Sequence, residues 1–212
     1  MDNCPTCGTS FKVSLLKTVV NRLSDNDQDL ISDYFGIQPQ LCTKCGATKL
    51  KDATQQMNSE IAKLNKELPK LMDEIPILTT EAPSEWLCEH LNMVGGTIAM
   101  GTGLLSEISS GLNDTFGTSS NTLRKKLLGG EKQCRQQMLL EAVELGGNAV
   151  VGARVDYDEI GSVKSMLLVK MFGTAVRIQD LSRFSDAKRE ALLSLDKKSK
   201  RLILLTEYKN KL

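Results

Sequence analysis

Leu145-Gly146-Gly147-Asn148-Ala149-Val150-Val151-Gly152-Ala153-Arg154-Val155-Asp156-Tyr157 is the stretch on which the fold turns. Its paired glycines read as a helix stop, because a residue there can enter the left-handed region without a Cβ clash. Beyond them the pattern becomes two-fold. Ala149, Val151, Ala153, Val155 and Tyr157 share one face, opposite Gly152, Arg154 and Asp156, which predicts a strand over Ala149–Tyr157. Before them Leu123, Leu127, Cys134, Met138, Ala142 and Leu145 share one helical face, with Lys, Arg, Gln and Glu on the other. Gly129-Gly130 interrupts that pattern, so the firm helix is expected over Glu131–Leu145.

Working outward, Asp158–Lys164 with Gly161 reads as a hairpin turn, and Ser165–Ile178 as a further strand. This strand is apolar on both faces: Met166, Leu168 and Phe172 on one, Leu167, Val169 and Met171 on the other. A strand of that kind needs two covers. Upstream, Ile98, Met100, Thr102 and Leu104 alternate with small residues, predicting a first strand over Thr97–Leu105, followed by Gly/Ser/Asn/Thr-rich chain with a short apolar piece at Leu112–Phe116. The result is an α+β reading, a small β-α-β-β domain over residues 85–180. One helix covers one side of a three-stranded sheet, and the large apolar patch left on the other predicts self-association.

Residues 1–50 read as a different kind of module. Cys4-Pro5-Thr6-Cys7-Gly8 and Cys42-Thr43-Lys44-Cys45-Gly46 are two close-spaced thiol pairs. Four such sulfurs can surround one Zn²⁺ tetrahedrally, with no position left for a substrate, so Cys4, Cys7, Cys42 and Cys45 are the expected ligands of a structural zinc. The glycine after each pair suggests a turn with positive φ. The gap between the pairs is 34 residues, against about 15–20 in a simple ribbon. Helical insertion fills it: Leu15, Leu16, Val19, Val20 and Leu23 recur at helical spacing after a possible short strand at Phe11-Lys12-Val13. A second helix is expected from Asp27 through Leu30, Ile31, Tyr34 and Phe35 to Gly36. Zinc is favoured over a redox dithiol, which would place one pair at a helix start in a βαβ setting. A redox- or metal-responsive switch using the same four cysteines is the alternative.

Residues 51–84 form a helical linker in this reading. Met57, Ile61, Leu64, Leu68, Leu71, Ile75 and Leu78 follow a 4-3-4-3-4-3 spacing, which fits either an amphipathic helix on its own domain or a coiled-coil seam between subunits. Pro69 predicts a break, so the helix is expected from Asp52 to Leu68. Residues 181–212 form a basic carboxy-terminal helix, capped by Ser185, with an apolar stripe at Ala191, Leu192, Leu195, Leu202 and Leu205.

Composition excludes more than it suggests. The formal charge of +1 over 212 residues gives no strong nucleic-acid or membrane signal. Met1-Asp2-Asn3-Cys4 lacks a basic n-region and an apolar h-region, and no apolar run approaches the ~20 residues of a membrane span. A cytoplasmic protein with reduced thiols is expected. Walker, nucleophile-elbow and H-E-x-x-H motifs are missing, and the single histidine nearly excludes His-dependent mechanisms. A non-enzymatic role is therefore expected; an active site formed at a subunit interface is a remote alternative. Cys88-Glu89-His90 supplies two ligands, short of a site; Cys134 reads as a core residue. Asp25–Asp29 fails as a calcium loop, having Leu30 and Gly36 where glycine and glutamate are required. Gly95-Gly96 and Gly101-Thr102-Gly103 read as places of close backbone approach.

Gly103-Leu104-Leu105, Leu145-Gly146-Gly147-Asn148-Ala149-Val150-Val151-Gly152 and Gly173-Thr174-Ala175-Val176 carry a resemblance to the YbjQ-like heavy-metal-binding family, over about residues 95–178. Val155-Asp156-Tyr157-Asp158 and Ser165-Met166-Leu167 look like the family too. The resemblance implies β-α-β-β subunits in a pentameric ring, and a zinc ribbon as a familiar amino-terminal attachment that could receive a protein partner. The chain departs from the family at Phe116–Leu123, where one glycine is kept and the family's arginine and tyrosine are lost.

Overall fold

Gly146 ends its helix with φ +81°. The Gly146 N–H donates to Val143 O (2.9 Å) and the Gly147 N–H to Ala142 O (2.7 Å), the paired bonds of a Schellman stop. In the computed structural model, residues 3–12, 21–36, 40–100, 118–160 and 166–211 are described. In chain order their elements are α1 (Asp25–Phe35), α2 (Thr43–Met72), β1 (Cys88–Met100), α3 (Thr118–Glu144), β2 (Ala149–Ile160), β3 (Met166–Ile178) and α4 (Asp186–Lys211). The chain divides into two compact units, Met1–Glu67 with Lys200–Leu212, and Leu68–Ser199. Among the described residues no helix is long and apolar enough to cross a membrane.

The second unit is the expected α+β arrangement, an antiparallel sheet in the order β1-β3-β2. α3 packs across one face. Val94, Val150, Val169 and Ala175 lie beneath it, with Cys134, Met138 and Ala142 buried on the helix. Asn148 extends the ladder by its side chain: the Ile178 N–H donates to its Oδ1 (2.7 Å), and its Nδ2 donates to Ile178 O (3.0 Å).

Several boundaries differ from the sequence reading, each for a packing reason. α3 runs unbroken through Gly129-Gly130, where a Cβ at Gly130 would stand 3.2–3.5 Å from Met100 and Ile98 on β1. This glycine gives room to the Met100 side chain and does not mark a break. Leu145, expected on the buried face, is exposed at 46%. β1 begins at Cys88, well before Thr97, and the expected portion over 101–105 lies outside the described residues. So do most of the helix read at Leu15–Leu23, residue 13 of the short strand read before it, the piece at 112–116 and the hairpin tip at 161–165.

The face assignment of β2 is also corrected. Gly152 has φ +61°, and the pairing jumps from Val151–Thr174 to Arg154–Phe172, one residue too many on β2. This bulge flips the alternation. Ala149 and Val151 point away from α3, whereas Val155 and Tyr157 share its side, where the Tyr157 hydroxyl donates to Glu131 Oε1 (2.6 Å). Residues 76–80 run beside the first half of β2, with the Leu78 N–H on Val150 O and the Gly152 N–H on Thr80 O (2.8 Å each).

Away from α3, Ala149, Val151, Val176 and Ile178 are covered by Leu78, Ala82, Trp86, Leu181 and Phe184. That cover stops halfway along the sheet. Met93 (75% exposed), Ala99, Met166 (39%), Leu168 and Phe172 lie on the same face beyond it.

In the first unit α1 follows its caps: Ser24 Oγ accepts from the Asp27 N–H, and Gly36 takes φ +62°. α2 starts at Thr43, nine residues before the expected start, and passes through Pro69 without ending. The proline stands in the last turn, where few further hydrogen bonds depend on it. Met57, Leu64, Leu68 and Ile75 of the apolar seam are buried.

The end of α4 belongs to this unit. Arg201 pairs with Asp33 (2.7 Å) and holds Glu60 through Nε (2.9 Å) and Nη2 (3.0 Å), while Tyr34 OH donates to Glu60 Oε2 (2.6 Å). Leu205 is buried. Arg201→Met should lower stability by about 1.5–3 kcal/mol, the range for hydrogen bonds to charged groups, measured by urea denaturation. The Arg201 hydrogen bonds hold the Glu60 carboxyl below its usual range. Glu60 therefore contributes stability above the unfolded value of about 4.3, lost as pH falls through the lower folded value. Arg201→Met should flatten that acid limb.

Candidate metal centre

Two backbone devices bring the cysteines together. The first pair sits on a tight turn, closed by the Gly8 N–H on Cys4 O and the Cys4 N–H on Thr9 O (2.8 Å each), with Gly8 at φ +69°. The second pair spans the start of α2. Cys42 precedes the helix, its carbonyl accepts from the Gly46 N–H (2.9 Å), and its sulfur takes the place of a capping oxygen, 3.4 Å from the Cys45 N–H. Residues 21–23 hold this start in place: the Leu23 N–H donates to Leu41 O (3.0 Å) and the Thr43 N–H to Asn21 O (3.1 Å).

Asn21 then ties the halves to each other. Its Nδ2 donates to Ser10 O (2.9 Å), and its Oδ1 accepts from the Lys12 N–H (2.7 Å). Sequence reasoning passed over Asn21 and over Thr9, whose hydroxyl lies 3.1 Å from Cys7 Sγ. Only the short spacing of Thr9 from Cys7 hinted at either. The glycine argument holds at Gly8 and fails at Gly46. Gly46 is helical, and a Cβ there would meet Leu23 Cδ1 at 2.1 Å. Here glycine makes room for the strut that positions Cys42.

The four sulfurs lie within 4.8 Å of one another. Cys7 Sγ and Cys42 Sγ are 3.7 Å apart, close to the ~3.8 Å between ligands of a tetrahedral ion with 2.3 Å metal–sulfur bonds. Cys4 (1% exposed) and Cys42 (4%) are buried, Cys45 half-buried and Cys7 exposed. The surroundings favour negative sulfur at Cys4 and Cys7. The Cys42 N–H, 3.5 Å from Cys4 Sγ, leads the effects that bring the Cys4 thiol down to about 6. Thr9 draws the Cys7 thiol down, while Cys45, bonded to Cys7 and Cys42, is pushed up to about 12. The helix start adds its positive end. The donor set, burial and spacing fit a metal ion enclosed by four thiolates, with no position open to a substrate.

One expectation about this pair needs correcting: the sequence reading has no cysteine pair at a helix start, and Cys42 and Cys45 do stand at the start of α2. Among the described residues no βαβ unit flanks them. The other candidates resolve simply. Cys88 packs against the Trp86–Phe184 cover and His90 is exposed, and among the described residues the four cysteines are the group with metal-binding geometry. Cys134 is buried and donates to Val169 O (3.3 Å). Asp25–Asp29 forms the first turn of α1. Gly95 and Thr97 offer no phosphate cradle, because their N–H groups are taken by Glu141 Oε2 (2.8 Å) and Gln137 Oε1 (2.9 Å).

Comparison with known proteins divides the chain at the end of α2. A family model described as "Putative heavy-metal-binding" matches residues 75–179. Another, described as "Uncharacterized protein conserved in bacteria (DUF2225)", matches residues 2–74. A UPF0145 protein of Clostridium botulinum is 36% identical over 90 residues, 42% of this chain and 85% of that protein. A UPF0145 protein of Listeria monocytogenes is 31% identical over 93 residues, 44% and 84% of the two chains. A crystal structure of a protein with unknown function from Pediococcus pentosaceus aligns with a TM-score of 0.36 at 13% identity, covering 49% of this chain and 96% of that one.

Proposed function

From a chain that belongs, through residues 75–179, to the YbjQ-like family of the UPF0145 proteins, we propose a non-enzymatic, self-assembling binding module that carries a structural Zn²⁺ on Cys4, Cys7, Cys42 and Cys45. The assembly is a ring of β-α-β-β domains, a pentamer as the family resemblance implies, working in the cytoplasm. Each copy contributes one zinc module, and several copies of a weak surface give avidity toward a protein partner or a heavy metal.

The half-covered sheet face carries this reading. Met93 at 75% exposure, Met166 at 39% and the half-buried Leu168 and Phe172 share it, and an identical chain would supply the missing layer. Arg154, Asp156, Asp158 and Lys170 stand on the same face among these residues, with Lys170 paired to Asp158, and both signs of charge suit a contact between like surfaces.

Native mass spectrometry with metal analysis tests the reading. The expected mass is a multiple of the chain with about one zinc per subunit, as a closed four-thiolate site requires. Met93→Glu should place a charge on the patch and move the mass toward the single chain while circular dichroism stays unchanged. A strictly monomeric wild type at micromolar concentration rejects the assembly.

A further inference from the structure

We propose that Cys7 is the residue at which a hydroperoxide oxidises the four-cysteine centre, with Cys42 as the resolving thiol, so that oxidation expels the metal and closes a Cys7–Cys42 disulfide. The inference rests on the zinc reading above and concerns the regulation of that same site.

Access separates the four sulfurs. Cys4 and Cys42 are 1% and 4% exposed and Cys45 is half-buried, whereas Cys7 is exposed, at the tip of a turn whose residues 5–10 are all exposed. Oxidation of a cysteine follows thiolate character and access together. Metal coordination supplies the thiolate, and the turn supplies the access. The Thr9 hydroxyl beside Cys7 Sγ can donate to the oxygen that leaves.

The second step follows from proximity. Cys42 Sγ lies 3.7 Å from Cys7 Sγ, and a disulfide needs about 2.05 Å. Cys42 is anchored by the start of α2 and by residues 21–23, so the exposed turn is the part that moves. The Cys7 thiolate attacks one peroxide oxygen, an S–O bond forms, the O–O bond breaks and hydroxide leaves. Cys7 is oxidised by two electrons to the sulfenic acid and the peroxide is reduced. The Cys42 thiolate then attacks the Cys7 sulfur; the S–S bond forms, the S–O bond breaks, and the second hydroxide leaves. Two protons from the buffer acid convert both hydroxides to water. Cys4 and Cys45 remain as two ligands, too few to retain the ion.

Metal content of the purified full chain comes first, since a chain without bound zinc removes the underlying reading and this inference with it. Zinc-loaded protein is then treated with one equivalent of hydrogen peroxide. Released zinc is followed with a chromogenic chelator, sulfenic acid is trapped with dimedone in brief pulses, and disulfides are located by peptide mass spectrometry. Expected are zinc release in step with oxidation, dimedone on Cys7 about tenfold ahead of Cys45 given its access, a Cys7–Cys42 disulfide, and recovery of zinc binding after dithiothreitol. Zinc retained under these conditions, or a first adduct on Cys4, Cys42 or Cys45, or a different disulfide, overturns the assignment while leaving the structural zinc in place.

Discussion

Gly96→Val should abolish cooperative folding of the second unit, and Gly96→Ala should cost more than about 4 kcal/mol, the range reserved for severe overpacking and strain. Gly96 on β1 faces Cys134 on α3 so closely that a Cβ would lie 2.1 Å from the Cys134 carbonyl oxygen and 2.8 Å from its Cα. The obstacle is backbone, which no rotamer change removes. Separating strand from helix would also uncover Val94, Met138 and Val169, all buried. Gly129→Ala is the matched comparison. It lies inside the same helix with nothing within 4 Å of a new Cβ, and should stabilise by about 0.5–1 kcal/mol through helix propensity. Thermal and urea denaturation of both variants decide the matter. Equal behaviour would mean that the close approach at Gly96 does not hold the domain.

Cys4→Ser should empty the metal centre and unfold the first unit of the full chain. Cys4 is 1% exposed, and Ser presents a hard hydroxyl where a soft thiolate is needed. Binding free energies of structural zinc reach about 10–16 kcal/mol, as large as the whole stability of an ordinary domain at about 5–15 kcal/mol. Beyond the metal, the turn at Cys4–Thr9 is held to the start of α2 mainly by the Asn21 hydrogen bonds to Ser10, Lys12 and Thr43, each worth about 0.5–1.5 kcal/mol. The measurement is limited proteolysis with circular dichroism: cleavage should spread through residues 21–67 while 75–179 resist, and chelation of the wild type should reproduce the pattern. A Cys4→Ser protein with unchanged metal content and melting would show that the four cysteines are bystanders.

The site was legible because its chemistry is short-range. Two thiols three residues apart must lie near each other whatever surrounds them, so the spacing at Cys4–Cys7 and Cys42–Cys45 named all four members of the cluster. What brings the pairs together was not legible. Asn21, Leu23 and Leu41 act through backbone hydrogen bonds and one close contact at Gly46, and neither residue type nor spacing announces such struts. The glycines show the same limit. Gly8, Gly36 and Gly146 follow from local conformation, each with positive φ, while Gly46 and Gly96 answer to a neighbour distant in sequence.

The sequence by itself determined the order of α2, β1, α3, β2, β3 and α4, the Schellman stop at Gly146-Gly147, the four members of the cysteine cluster and the apolar pattern of β3. All of these depend on interactions within a few residues, or on a pattern that any fold must respect. Only the tertiary structure decided that α2 and α3 run through Pro69 and Gly129-Gly130, that α4 returns Arg201 to Glu60 and Asp33, and that a bulge at Gly152 turns Val155 and Tyr157 to the helix side. Those outcomes depend on what lies opposite each residue in space. A helix continues past a weak residue when its neighbours bury more than the break would relieve, and a strand changes faces when its partner's register leaves one residue over.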